Sequence, residues 1–271
     1  MRKALVLLLI ATFFCPALAH SASVGRITTA GQGKVYTGFE QDYILDKDLK
    51  IDVPEELTAV SSDAKVTSEI ESMSRSMAEI GYGITDNIDV YTKLGVAQFN
   101  AQTVLTGHMD ADPTFSATYT EEVKGDPAFA YGLGVKGVFD MGSGWLIGGD
   151  AQYLSHENDY TLNEYYEDSD LNTATDEAKG TATVQEWQVA LTLGKKIESF
   201  TPYVGVKYSD MKVEGKTTWD DDSTSSQTYK ADNNFGAFVG LGYNLSDKWV
   251  FNVEGRFIDE TAVALTAGYK F

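Results

Sequence analysis

Cysteine is almost absent from this chain of 271 residues, and its single cysteine, Cys15, lies in a segment with the features of a secretion signal. A basic pair, Arg2-Lys3, precedes a run of eleven residues from Ala4 to Phe14 that is apolar except for Thr12. Ala17-Leu18-Ala19 then supplies a small-x-small cleavage pattern. The apolar run is too short to span a bilayer, which takes about 20 residues. Cleavage after Ala19 leaves no thiol, which excludes thiol catalysis, disulfides and zinc-thiolate sites.

Basic residues are also scarce, since 21 Lys and Arg stand against 40 Asp and Glu. Loss of Arg2 and Lys3 with the signal removes two positive charges and takes the formal net charge from −19 to −21. So acidic a chain repels nucleic acid, and no basic patch offsets that repulsion. We therefore expect no nucleic-acid partner.

Long hydrophobic runs are missing after the signal, and alternation of apolar with small or polar residues takes their place. The pattern is clear in Glu186–Leu193 and Phe235–Tyr243, and apolar residues also share a face from Val90 to Val96 and from Phe129 to Val135. Half-apolar segments of about ten residues are typical of strands that cross a membrane.

The connections between these segments alternate between short and long. Tight turns rich in Asn, Asp, Gly and Ser occur at 85–89, 140–144, 195–199 and 244–248, and a final hairpin is expected around Asp259-Glu260. Long polar stretches lie between them, at roughly 44–72, 100–127, 157–181 and 214–232.

In an up-and-down antiparallel sheet this order places all long loops at one end and all short turns at the other. The sequence thus predicts an all-β, up-and-down antiparallel transmembrane β-barrel of about ten strands, with eight as the alternative. The short turns are expected to be periplasmic and the long acidic loops extracellular. The predicted organisation is a cleaved signal peptide at 1–19, a short periplasmic segment at 20–32 and the barrel at 33–271. The strands of a soluble β-sandwich also alternate apolar and polar residues. A sandwich would not, however, place its short turns at one end and its long loops at the other.

The two faces of the predicted strands differ in composition. Trp145 and Trp249 each open a strand after a short turn, where an interfacial aromatic belt is expected. The opposite face carries many glycines and a balanced set of ionisable residues, which predicts a narrow, largely filled lumen because buried charges need partners. The predicted lumen charges are Glu40, Glu79, Asp150, Glu186 and Glu254 with Lys93, Lys136, Lys207, Arg256 and Lys270. The segment 73–80 fits lipid poorly, because Ser72, Ser74 and Ser76 share its outward face, so we expect a bulge or a protruding strand there.

The carboxyl terminus alternates up to its last residue. Val263, Leu265, Ala267, Tyr269 and Phe271 share one face, and the final residue is aromatic. This tail resembles the carboxy-terminal signal of Gram-negative outer-membrane barrels, and the chain resembles the small barrels typified by the OmpA transmembrane domain and the opacity proteins. Those barrels are often eight-stranded, fewer than the ten counted here. The resemblance implies a location in the cell outer membrane, contact with membrane lipid and lipopolysaccharide, and recognition by the barrel-insertion machinery.

Candidate catalytic residues are few. Ser155 precedes His156 at the rim of the fifth strand, but neighbouring residues of a strand point to opposite faces and cannot easily form a Ser-His pair. The omptins, surface proteases of similar size, use Asp pairs with a rim histidine, and His108 or His156 are the residues available for that role. No matching motif accompanies them. We therefore predict no enzyme activity and assign no catalytic or cofactor-binding residue.

The predicted extracellular loops are acidic, with clusters at Asp220-Asp221-Asp222, at Glu164, Glu167, Asp168 and Asp170, and along Asp46–Glu56. Oxygen-rich clusters of this kind can hold divalent cations, but none has EF-hand spacing, so no metal ligand is assigned. Tyr160, Tyr165, Tyr166 and Trp219 provide aromatic contact residues in the same loops. The expected function is a structural, surface-adhesion or small-solute role. A narrow porin is the alternative, and an omptin-like or lipid-directed surface hydrolase is a weaker one.

Overall fold

Twelve antiparallel strands form one closed sheet in the computed structural model, which describes residues 23–51, 65–109, 112–169, 172–219 and 223–271. Within these ranges no helix is long and apolar enough to cross a membrane. The strands are β1 (Val35–Ile51), β2 (Lys65–Gly83), β3 (Ile88–Met109), β4 (Asp112–Gly125), β5 (Ala128–Gly142), β6 (Trp145–Asp168), β7 (Thr173–Lys195), β8 (Phe200–Thr218), β9 (Thr224–Ala231), β10 (Phe235–Asn244), β11 (Trp249–Phe257) and β12 (Thr261–Lys270).

Ten of these strands close into a ring at the short-turn end. β5 pairs with β3 and β6, β10 pairs with β8 and β11, and β12 pairs with β1 to complete the circle. The closing register sets Phe39 opposite Ala267 and Tyr43 opposite Val263. A closed antiparallel ring satisfies its backbone groups without water, as a membrane requires. The predicted barrel of about ten strands is confirmed, and we call this part the lower ring.

A second ring of eight strands stands on the first at the long-loop end. There β4 pairs with β3 and β6, and β9 pairs with β8 and β1, so that β5, β10, β11 and β12 no longer take part. We call this part the upper ring. Its existence corrects the expectation of long loops at 44–72, 100–127, 157–181 and 214–232, because most of these residues are strand.

Strand length explains how one sheet supports both rings. β6 has 24 residues, or roughly 80 Å at about 3.3 Å per residue, whereas a membrane strand needs only about 9–11 residues. The remaining residues continue the sheet beyond the membrane, where the outward face is polar. Polarity in these stretches therefore reflects contact with water, and it does not indicate the absence of a strand.

The polar segment at 73–80 is part of β2 and marks the border between the rings. Pairing between β2 and β3 shifts between Ile70 and Ser72, so the bulge lies just before the segment in which one was expected. Met73, Arg75 and Met77 point inward and are buried, while Ser72, Ser74 and Ser76 point outward.

The outer surface of the lower ring is apolar. Leu133, Leu191 and Val206 are each about three-fifths exposed, which suits lipid rather than a soluble core. Trp145 and Trp249 also face outward, and the Trp249 ring lies 5.0 Å from the Tyr269 ring at the short-turn end. These outward rings form the predicted aromatic belt.

The segment before β1 lies inside the lower ring. Ser23, Val24, Arg26, Ile27 and Ala30 are all at most 6% exposed. The chain enters at the short-turn end, where the Gly33 amide donates to the Gly83 carbonyl at 2.9 Å. The prediction of a periplasmic segment over 20–32 thus differs from the structure, which places residues 23–30 within the lumen.

Candidate functional site: the barrel lumen

Aromatic rings packed on glycines narrow the lumen of the lower ring. A Cβ atom added to Gly134 would lie 2.4 Å from Cζ of Tyr91, and one added to Gly240 would lie 2.2 Å from Cζ of Tyr203. The glycines of the inner face therefore accommodate rings that reach across the lumen, as a narrow interior requires. The rings packed in this way are Tyr36 on Gly81, Tyr91 on Gly134, Tyr203 on Gly240 and Phe238 on Gly205.

The predicted lumen charges do converge on the interior and form ion pairs. Lys93 donates to Glu40 at 2.9 Å, and its Nζ also lies 3.0 Å from Oε1 of Gln152. Lys136 lies 3.7 Å from Asp150, which accepts a hydrogen bond from Tyr91 at 2.9 Å. Nine of the ten predicted charges are buried, and Lys270 is partly buried.

The amino-terminal segment completes this lower layer of charges. Arg26 pairs with Asp89 at 2.9 Å, and its guanidinium lies 3.2 Å from the centre of the Tyr36 ring. The Val24 carbonyl accepts from Lys136 at 2.6 Å, and the Val24 amide donates to Glu254 at 3.1 Å. Main-chain groups of the segment thus form hydrogen bonds with lumen side chains that would otherwise be available to a solute.

A second layer of charges lies nearer the upper ring, around the hairpin between β11 and β12. Lys207 contacts both Glu260 and Asp259, and Arg256 donates to Glu260 at 2.8 Å. Lys47 lies 3.4 Å from Glu260. Asp259-Glu260 was expected as a hairpin, and it is one, but its two side chains are buried in the lumen.

Sequence reasoning missed further members of the network. Arg75 and Glu186 pair at 2.8 Å, and Arg256 also pairs with Asp42 at 2.5 Å. Alternation could have identified Asp42 and Arg75 as inward residues. Asp42 lies two residues from Glu40, Arg75 lies two residues from Met77, and both of these reference residues point inward. No alternation could have indicated Arg26, Asp259 or Glu260, because they lie outside strands.

Several buried polar atoms in the middle of the lumen have no hydrogen-bond partner among the described residues. They include Nε of Arg75, Oε1 of Glu186, the amide of Gln188 and Nε2 of His156. Buried polar groups are normally hydrogen-bonded to protein or water. This zone is therefore suited to hold water between the two layers of charge.

The candidate catalytic residues are not assembled into a site. His156 points into the lumen, and its Nδ1 lies 2.5 Å from Oδ1 of Asn158. Ser155 stands opposite Tyr131, an outward residue of β5, so the Ser-His pair is separated by the sheet as expected. His108 is exposed in the upper ring, opposite Ser116 of β4.

The acidic and aromatic loop residues divide between the two faces of the upper ring. Asp46, Asp48 and Glu69 bring one carboxylate oxygen each within 4.8 Å of one another. Tyr165 is exposed, whereas Tyr160 is buried inside the ring and Trp219 packs against the same interior cluster. Tyr160 and Trp219 are thus not surface contact residues, contrary to expectation. Residues 52–56, Asp170 and Asp220-Asp221-Asp222 lie outside the described residues.

Comparisons with known proteins agree with this geometry. A family model described as Chlamydia major outer membrane protein matches residues 147–225. The major outer membrane porin of Chlamydia trachomatis serovar B is 24% identical over 337 aligned residues, which cover 86% of this chain and 84% of that porin. The porin of Chlamydia psittaci is also 24% identical and covers 88% and 85% of the two chains.

This protein is an outer-membrane β-barrel. Its fold is similar to that of the outer membrane protease OmpT from Escherichia coli, with a TM-score of 0.59 and 13% identity over 88% of this chain and 97% of that chain. At that identity the likeness extends to the fold alone. The sequence similarity is to porins of Chlamydia and not to the OmpA and opacity types, which corrects the expected resemblance.

Proposed function

We propose that this outer-membrane barrel has a structural role at the cell surface and that its lumen is closed to all but water and the smallest solutes. The observation that carries the proposal is the filled lower ring. The amino-terminal segment contacts charges on four walls of the lumen. Arg26 pairs with Asp89, the main chain at Val24 contacts Lys136 and Glu254, and Ser23 donates to Glu40. A wide pore would instead leave such charges facing water.

A narrow porin remains the second candidate, and two observations favour it. The relatives are named porins, and the polar atoms around Arg75 and Glu186 suit a chain of water molecules. Movement of the amino-terminal segment would connect this zone to the short-turn end.

Reconstitution of the purified full-length protein into planar lipid bilayers separates the two functions. We expect a quiet membrane, or steps far smaller than those of a wide water-filled porin recorded in the same setup. Regular large steps at low voltage would favour the porin and contradict a closed lumen.

We also propose two kinds of partner at the ends of the barrel. The exposed Phe271 ring, 5.0 Å from Tyr269, supports recognition by the barrel-insertion machinery. Substitution of Phe271 by Ser should lower the amount of folded protein in outer-membrane fractions, while Val35→Ser, at the adjacent strand end, should not.

At the other end, Asp46, Asp48 and Glu69 support sharing of divalent cations with lipopolysaccharide phosphates. Chelation of divalent cations should then release lipopolysaccharide co-purified with the protein, and replacing the three acids by their amides should have the same effect. An enzymatic role is not part of the proposal, because the described Ser155 and His156 face opposite sides of the sheet.

A further inference from the structure

A cavity of about 100 Å³ lies inside the upper ring, beyond the second layer of charges. Its inner wall is apolar and includes Ile70, Phe99, Leu162 and Val213, all at most 6% exposed. An apolar cavity of about 150 Å³ in another protein binds benzene and stays free of water. The upper-ring cavity is thus of a size that suits a small apolar group, and it is separate from the ion pairs below it.

Aromatic side chains form the wall nearer the mouth. Tyr160, Trp219 and Tyr229 line the cavity and pack against the apolar cluster of the inner wall. The Tyr160 hydroxyl is already engaged, since it lies 2.7 Å from the hydroxyl of Thr217. These residues therefore present ring surfaces, and aromatic faces attract cations as well as apolar groups.

Carboxylates stand at the same wall. Glu121 of β4 lies directly opposite Glu164 of β6 in the register, and Glu121 lines the cavity. Like charges in directly opposed positions of a sheet repel each other. Burial first, and then the charge of Glu164, raise the pKa of Glu121. No Lys or Arg lines this cavity among the described residues, so a ligand with a positive charge would relieve the repulsion.

We propose that the upper ring is a binding chamber for a small molecule that combines an apolar body with one ammonium group. The apolar body fits the inner wall, and the ammonium lies near Glu121 and Glu164 beside the aromatic rings. The chamber specifies both the apolar body and the ammonium group of the ligand, and neither requirement depends on whether the lower ring conducts. The proposal therefore stands apart from the function proposed above.

The test uses three probes of one size and different charge, namely benzylamine, toluene and benzoate. Binding to the full-length protein in detergent is followed by tryptophan fluorescence and by calorimetry. We expect affinity to fall in that order, with benzylamine at least roughly tenfold tighter than benzoate. Equal affinity for all three probes, or no binding of benzylamine in the millimolar range, would overturn the proposal.

A variant that fills the chamber locates the site. Gly215 lines the cavity, and a Cβ added there meets the Tyr160 oxygen at 3.5 Å, which is ordinary contact. Gly215→Leu should therefore fold and should weaken benzylamine binding at least roughly tenfold. Gly255→Leu is the matched control, because nothing lies within 4 Å of a Cβ at Gly255 and its strand position faces outward. Unchanged binding in correctly folded Gly215→Leu would contradict the assignment.

The dependence on pH tests the carboxylates. The titratable groups around Glu121 are Glu164 and Tyr160 of β6, Tyr119 of its own strand and Tyr229 of β9. Because the pKa of Glu121 is raised, its carboxylate becomes protonated early as the pH falls, while benzylamine stays charged. Benzylamine affinity should fall over that range and toluene affinity should not. Glu121→Gln should remove this pH dependence of benzylamine affinity. If the affinity of this variant still falls as the pH falls, a group other than Glu121 is responsible, which contradicts its role here.

Discussion

At the scale of single residues, the inner face of the lower ring is organised by charge pairing and by the contact of rings with glycines. Lys207, Arg256 and Glu260 are all buried, and their mutual contacts replace water. A buried pair is strongly destabilised when one partner is removed, because the other charge is left without compensation. Two predictions at this scale follow from the network and from the glycines.

Replacement of Glu260 by Gln should lower the free energy of unfolding by about 3–5 kcal/mol. The change leaves Lys47, Lys207 and Arg256 with less negative charge to face. The free energy of unfolding is measured by urea unfolding of the folded protein in lipid vesicles. Glu214→Gln is the matched control, since Glu214 pairs with Lys212 on the exposed surface and exposed pairs contribute little. Similar effects of the two substitutions would contradict the buried network.

Gly134→Val should lower stability by about 1–3 kcal/mol, the usual cost of overpacking. The added side chain displaces the Tyr91 ring and with it the hydrogen bond from Tyr91 to Asp150. Gly255→Val, at an open outward position, should leave the urea midpoint unchanged or raise it. If Gly134→Val is tolerated as well as Gly255→Val, the ring does not occupy the space above Gly134.

At the scale of elements, the chain contributes two features that strand alternation does not specify. Six strands, β1, β2, β3, β6, β7 and β8, continue from the lower ring into the upper ring. The segment Ser23–Ala30 runs inside the lower ring without forming a strand. The segment can be deleted without removing a strand of the barrel.

Deletion of residues 23–30 should produce stepwise conductance in planar bilayers, because it withdraws Arg26 and the main chain at Val24 from the lumen. Asp89 and Lys136 would then face water rather than the segment. Lys34→Ala, an exposed residue next to the segment, serves as the control and should remain as closed as the parent protein. A deletion variant that folds and stays closed would show that side chains alone fill the lumen.

At the scale of the whole molecule, the two rings form one sheet. Backbone pairing between β6 and β7 runs without a shift from Trp145 and Lys195 to Glu167 and Thr173. Strands that pair continuously through both rings, as β6 and β7 do, couple the unfolding of one ring to that of the other. The same closure keeps every membrane strand paired on both sides, as hydrocarbon requires.

Unfolding should accordingly be a single transition that both rings share. Variants that retain only Trp219, in the upper ring, or only Trp249, in the lower ring, should give the same urea midpoint by fluorescence. The folded protein should also migrate differently on a gel before and after boiling. A lower midpoint for Trp219 would show that the upper ring opens independently.

The sequence alone determined the barrel and most of the lumen charges. Alternation with period two assigns each residue to one face, so Glu40, Lys93 and Asp150 could be placed inside without coordinates. Trp145 and Trp249 could be placed outside for the same reason. These inferences hold because the side-chain direction in a strand is a local property of the backbone.

Only the tertiary structure decided what depends on residues far apart in the chain. Pairing of β9 with β1, which closes the upper ring, joins Tyr229 to Ile51, and no local pattern encodes that contact. The position of Arg26 in the lumen beside Asp89 likewise depends on residues far apart in the chain. Alternation specifies the face of a strand, whereas the partner of a strand and the path of a segment without regular structure are fixed by the long-range packing of the whole sheet.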